Sequence, residues 1–179
     1  MPNKYNDAQN RITKESIFTA LMILMDKKSF KDISITEVAK KAGVSRMAFY
    51  RNYNILEDVI CIHLDELFLE YSKHALNNRD LDSYEITRLF FYYFRKHQAF
   101  ITNLINSNLS NLIYERAVEF LYSYSKSITC NQKCSPDVER YNISFISGGF
   151  YHVLIEWSKG GMKESDEVMS EMVFGGLIK

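Results

Sequence analysis

The sequence predicts an all-α protein of about nine helices, with a three-helix N-terminal head on a larger helical body. Three observations carry that prediction. Apolar residues recur at three- and four-residue spacing in segment after segment, and none sustains the alternation of a half-buried strand. Only 2 Pro and 7 Gly occur among 179 residues, too few for a sheet protein with many tight turns. The short polar interruptions fall on residue types that start and stop helices.

The elements follow in order. Residues 1–9 are polar. Ile12, Ile17, Ala20, Leu21, Leu24 and Met25 then place one apolar face on a helix over residues 10–28. Ser34-Ile35-Thr36-Glu37 has the form of a capping box, which starts a short helix to about Lys41. Gly43 supplies the turn, and Ser45 caps a helix ending near Tyr53. Asn54, with Glu57 three residues on, is expected to cap a helix reaching about Ala75. Asn77-Asn78 breaks the chain, and Asp82 with Glu85 starts a helix through Lys96. Helical segments are expected over 98–106 and 109–128. Ser135-Pro136 opens a long helix, with proline at its first position, that Gly160-Gly161 ends. A last helix occupies 165–174. There is no internal repeat and no low-complexity tract.

Charge and cysteine usage narrow the function classes. The net charge is zero, yet residues 1–60 hold ten Lys/Arg against seven Asp/Glu, and the remainder reverses that balance. A basic end on a faintly acidic body suits a head that meets phosphate. Cys61, Cys130 and Cys134 read as reduced thiols, and Cys130 and Cys134 lack a third ligand, so no metal is expected. The polar N-terminus is not a signal peptide and no apolar run is long enough for a membrane span. A cytoplasmic protein without a membrane partner is the expectation. His63, His74, His97 and His152 are scattered, and no phosphate loop, nucleophile elbow or zinc motif occurs. No enzyme activity, catalytic residue or cofactor is expected.

The chemistry concentrates at about residues 33–52. A helix-turn-helix packs two short helices at a steep angle across a short turn. Ala39 offers the small residue where the second helix crosses, and Gly43 the turn conformation. Ile35, Val38, Val44 and Phe49 face inward, leaving Ser45, Arg46, Met47, Tyr50 and Asn52 outward. Hydroxyls, an amide and an arginine suit phosphates and base edges. A plain helical hairpin has similar spacing, and the caps and the Tyr50–Tyr53 stretch favour DNA reading.

Val38-Ala39-Lys40-Lys41-Ala42-Gly43-Val44-Ser45, followed by Tyr50-Arg51-Asn52-Tyr53, resembles the pattern of the TetR family of bacterial regulators. Ser147-Gly148-Gly149-Phe150 through Trp157-Ser158-Lys159-Gly160-Gly161-Met162 resembles the C-terminal region of its dihydroxyacetone kinase operon subgroup. The resemblance implies a DNA-binding domain over 1–55 and a regulatory and dimerisation domain over 56–179. It implies double-stranded DNA with a pseudo-palindromic operator as partner, bound by a homodimer, most often in repression. Activation, or an adaptor controlled by a protein partner, is the alternative. Ser34 and Thr36 would touch phosphate, Ser45, Arg46 and Met47 would enter the major groove, and Tyr50 and Asn52 would hold the backbone. Lys40 adds a phosphate contact or a solvated face, and Tyr53 completes the set. Three departures from the family stand out: Met47 for a common glycine, Asn52-Tyr53 for His-Phe, and Leu56 for a phosphate-binding lysine. Arg46 is the residue expected to read a base, with phosphate pairing as the other possibility.

The body carries two further expectations. The resemblance implies dimerisation through the last two helices, at Ile146, Gly149, Phe150, Val153, Trp157, Met169, Met172 and Val173. Gly148-Gly149 either admits a close neighbour or marks a kink. Aromatics surround the helix at Phe90-Phe91-Tyr92-Tyr93-Phe94, so some face a partner or a cavity. Phe90, Tyr93, Phe94, Phe100, Tyr114, Tyr122, Tyr141 and Phe145 are the candidates to line a pocket for a small apolar or aromatic effector. A plain aromatic core is the other reading.

Overall fold

Local hydrogen bonding starts and stops the helices where short polar side chains stand. The computed structural model describes residues 4–77, 81–128 and 135–175, and the described residues form helices and turns without a strand. The order is α1 (Lys4–Met25), α2 (Ile35–Ala42), α3 (Arg46–Tyr50), α4 (Leu56–Asn77), α5 (Ser83–Lys96), α6 (Gln98–Asn106), α7 (Asn111–Ile128), α8 (Pro136–Lys159) and α9 (Asp166–Ser170). A 3-10 turn at Phe30–Asp32 precedes α2, and a π turn at Glu171–Gly175 extends α9.

Both ends of α1, the end of α3 and the cap of α4 differ from the sequence expectation, α3 stopping at Tyr50. Helix α1 starts earlier and ends at Met25. At α4 the cap is not made by Asn54. Instead the Asp58 carboxylate accepts from the Asn54 and Ile55 N–H groups, at 2.7 and 3.1 Å, and the helix begins at Leu56. A carboxylate in the first turn both satisfies these amides and faces the positive end of the helix.

The chain divides into two compact units, Met1–His63 and Leu64–Lys179, with the division inside α4. In the first unit, Ile17 and Leu21 of α1, Val38 and Ala39 of α2, Phe49 of α3, and Val59 and Ile60 of α4 are all buried. In the second, Leu64, Phe91, Phe94, Ile101, Leu104, Ile113 and Leu154 are buried to within 2 % exposure and draw α4 to α8 around one core. There α9 lies against α5, and α7 against α8.

Helix α8 runs unbroken through Gly148 and Gly149, so the glycines do not mark a helix break. A Cβ at either glycine would meet nothing within 4 Å, and no close approach within the chain requires them.

Candidate nucleic-acid interface and interior cavity

The head is built on two caps and one glycine. Ser34 Oγ accepts from the Glu37 N–H at 3.3 Å, while Glu37 Oε2 accepts from the Ser34 N–H and hydroxyl at 2.9 and 2.8 Å. Lys28 Nζ closes the corner with bonds of 2.7 Å to Glu37 Oε1 and to the Asp32 carbonyl. Helix α2 ends at Gly43, whose φ of 69° is left-handed, and the Gly43 and Val44 amides bond back to Lys40 and Ala39 carbonyls. That reversal costs glycine little and a side-chain-bearing residue more. Ser45 then accepts from the Ala48 N–H at 3.0 Å and starts α3.

This arrangement turns one edge of α3 outward. Arg46, Met47 and Tyr50 are exposed, Met47 by 66 %. The Arg46 guanidinium stands 5.9 Å from the Tyr50 ring centroid. Thr36, Lys40, Lys41 and Arg51 are exposed beside them. Two expected contacts change. Tyr53 is only 4 % exposed and packs on Phe49 with ring centroids 5.5 Å apart, so it is a core residue. Asn52 is half-buried and its amide donates to the Ala48 carbonyl at 2.9 Å, closing the end of α3 rather than pointing outward. Leu56 is buried in the head core.

The Glu37 carboxyl is held down to about 2, first by the Lys28 bond, then by the Ser34 N–H and hydroxyl. Because its folded value lies below the ordinary one of 4.5, its contribution is complete above about 4.5 and disappears as pH falls towards 2. Acid titration followed by the thermal midpoint should therefore show loss of head stability in that window. Glu37→Gln should lower stability at neutral pH and flatten the acid limb. An unchanged slope would remove the corner from the account.

The second unit encloses a cavity of about 470 Å³, within the size range of small-molecule sites. Phe90 and Phe94, one turn apart on α5, line it with Phe68 and Tyr71 of α4, Phe120 of α7, and Phe150 of α8. The Phe68 and Phe120 rings stack at 5.2 Å, and Phe90 meets Phe150 edge-on at 4.9 Å. Phe145 and Ile146 lie at the rim and are largely exposed. Among the described residues no group of three or more His, Cys, Asp or Glu is placed to hold a metal, and no helix is long and apolar enough to cross a membrane. Cys130 and Cys134 lie outside the described residues.

The family model TetR_C_8, a transcriptional regulator C-terminal region, matches residues 81–178, the part of the chain that supplies most of this cavity's lining. The chain belongs to the TetR family of transcriptional regulators. No curated protein sequence matches it. Solved structures share the fold at low identity. Lin0861 from Listeria innocua superposes with a TM-score of 0.79 at 17% identity, over 93% of this chain and 89% of that one. A TetR transcriptional regulator from Streptococcus agalactiae gives 0.61 at 21% identity, over 93% of each chain. The dihydroxyacetone kinase operon activator DhaS gives 0.53 at 15%, over 89% of each.

As a TetR-family member the chain is a DNA-binding transcriptional regulator. Within it, the residues expected at a pocket divide. Phe90, Phe94 and Phe145 line the cavity, but Tyr93, Phe100, Tyr114, Tyr122 and Tyr141 do not. Tyr93 instead turns to His74, its hydroxyl 2.6 Å from Nδ1, and Phe100 is buried elsewhere in the core. Tyr114 faces Tyr151, and Tyr141 is 65 % exposed. The residues missed from sequence, Phe68, Tyr71, Phe120 and Phe150, come from three different helices. Their signal was only an aromatic at a core-facing position.

The residues expected at a dimer contact divide as well. Ile146, Gly149 and Met172 are exposed. Trp157, Met169 and Val173 are buried inside this TetR-family body. Phe150 packs on Phe90 and Phe91, and Val153 is half-buried. These side chains fill the chain's own core because α9 and its π extension fold back on α5.

Proposed function

We propose that the chain is a repressor that binds a pseudo-palindromic operator as a homodimer and releases it when a small apolar or aromatic effector fills the body cavity. The observation that carries the reading is the exposed Arg46–Met47–Tyr50 edge on a helix fixed by the Ser45 cap and the Gly43 turn. Arg46 reads a guanine, Met47 packs on a thymine methyl, and Tyr50, Thr36 and Lys40 hold phosphates. Ser45 spends a lone pair on its cap and keeps its hydroxyl proton for a phosphate or base. Ser34 already donates to Glu37, so its phosphate contact requires that bond to give way.

Two heads are needed, because one short helix with a single arginine offers few contacts. The exposed Ile146, Gly149 and Met172, with Tyr141 and Phe145 nearby on α8, supply an apolar face for the second copy. Half-sites one helical turn apart, about 34 Å, are the spacing such a dimer reads. Similarity to an operon activator, DhaS, supports activation as the second reading of the sign of control.

The test is an operator titration with Arg46→Ala. A loss of about 1–3 kcal/mol, confined to operators that carry the read base pair, is expected. The same duplex with one half-site removed should bind far more weakly. If Arg46→Ala weakens all sequences equally, Arg46 pairs only with phosphate. If one half-site binds as tightly as two, the dimer reading fails.

A further inference from the structure

We propose that the body cavity selects an uncharged ligand carrying a hydrogen-bond donor, such as an alkylphenol, and rejects a carboxylate of the same shape. This deepens the effector reading above and rests on it for the cavity being a ligand site.

The first argument is the absence of charge. None of the described lining residues is Lys, Arg, His, Asp or Glu. A carboxylate entering from water would leave its hydration and meet no cation, which costs far more than burying a neutral group. Burial, with a smaller push from Tyr124, raises the Tyr71 phenol well above its ordinary value, in keeping with a weakly polar wall that disfavours anions.

The second argument is the direction of the hydroxyls. Thr87 Oγ1 donates to the Ser83 carbonyl at 2.8 Å, Ser72 Oγ to the Leu69 carbonyl at 2.8 Å, and Ser147 Oγ to the Ile143 carbonyl at 2.7 Å. Each hydroxyl has one proton, and the helix behind it takes that proton. All three side chains are buried and line the cavity, so what they offer a ligand is lone pairs. Asn142, exposed at the rim, is a lining residue with amide N–H groups, and it sits at the mouth rather than on the wall. Tyr71 likewise gives its hydroxyl proton to the Ile86 carbonyl at 3.3 Å, so, against the phenols of Tyr124 and Tyr151, the wall is weighted towards acceptors, which call for a donor on the ligand. Between them, the Phe90, Phe94, Phe120 and Phe150 rings offer faces and edges to an aromatic or alkyl body.

Calorimetric titration of the full chain with para-butylphenol, para-butylanisole and para-butylbenzoate at neutral pH separates the terms. The phenol should bind. The anisole, in which a methyl group replaces the donor hydrogen, should bind about three- to tenfold more weakly. The benzoate should fall by about a hundredfold or more. Thr87→Val combined with Ser147→Ala should remove most of the phenol's lead while leaving anisole binding within about twofold, which also reports that the variant is folded. Benzoate binding as tightly as the phenol, failure of all three to bind, or a phenol lead that survives the double variant each overturns the proposal. Operator binding keeps the two readings apart. If the phenol binds in the expected order and operator affinity does not move, the ligand class stands and effector control fails. If the benzoate and not the phenol releases the operator, effector control stands and the ligand class falls.

Discussion

Phe49→Ala should unfold the DNA-reading head, at a cost of about 3–5 kcal/mol. Phe49 is fully buried at the centre of the first unit, edge-on to Tyr50 at 5.7 Å and tilted against Tyr53 at 5.5 Å. It is also the side chain by which five residues of α3 are held, since so short a helix has little stability of its own. A unit of this size carries about 3–9 kcal/mol in total, so the loss takes most of it. Alanine suits the helix, which leaves the missing ring as the cause. Hydrogen exchange reads the result directly. Amides of α1, α2 and α3 should exchange faster by about two to three orders of magnitude, and operator binding should disappear. Phe49→Leu, which refills part of the space, should keep most of the protection. Unchanged exchange in Phe49→Ala would mean that the recognition helix is held by something other than this ring.

How far the sequence could be read depends on the range of the interaction. The Ser34–Glu37 box, the Ser45 cap on Ala48, the Asp82 cap on Glu85 and the Ser135 cap join residues three apart, and all form as expected. Gly43 takes its left-handed turn for the same local reason. At the start of α4 two acids competed with Asn54 in the same stretch, and residue type alone did not show that Asp58 would take the amides.

The aromatic run on α5 shows where local reading stops. With about 100° between successive residues, five aromatics cannot share one environment. Phe90 and Phe94 face the cavity, Phe91 packs on Trp157 at 5.3 Å, Tyr93 reaches His74, and Tyr92 is exposed. The sequence marks the run as unusual, but only the helices around α5 decide which ring meets empty space. The same limit misplaced Trp157, Met169 and Val173. Their apolar character fits a dimer seam as well as a core, and the fold-back of α9 makes them core. That fold-back is itself set by a long-range contact.

Arg95→Met should destabilise the body by about 2–4 kcal/mol, because Arg95 ties α5 to the turn between α8 and α9. Its Nη1 donates to the Met162 carbonyl at 2.7 Å and its Nη2 to the Glu164 carbonyl. The guanidinium lies over the Trp157 ring, 4.7 Å from its centroid, and Trp157 Nε1 donates to the same Glu164 carbonyl at 3.2 Å. The turn needs such a hold. Met162 is buried with a φ of 51°, a left-handed conformation that costs a residue with a side chain about 1–2 kcal/mol. The ion pair from Nε to Asp166 Oδ1, at 3.6 Å, adds less than the carbonyl bonds: removing the fork strips the Met162 oxygen of the Arg95 donor, while the Glu164 oxygen keeps Trp157 Nε1. Methionine keeps the stem's apolar packing and deletes only the fork. Arg95→Lys restores a charge without the planar pair of donors, and should recover less than half of the loss. Urea midpoints of the three proteins give the comparison. A loss below about 1 kcal/mol in Arg95→Met would place the hold on α9 elsewhere, on the Ser170 hydroxyl bond to the Tyr84 carbonyl, 2.9 Å long, and on the Arg88 ion pairs with Asp166 and Glu167, each 3.8 Å.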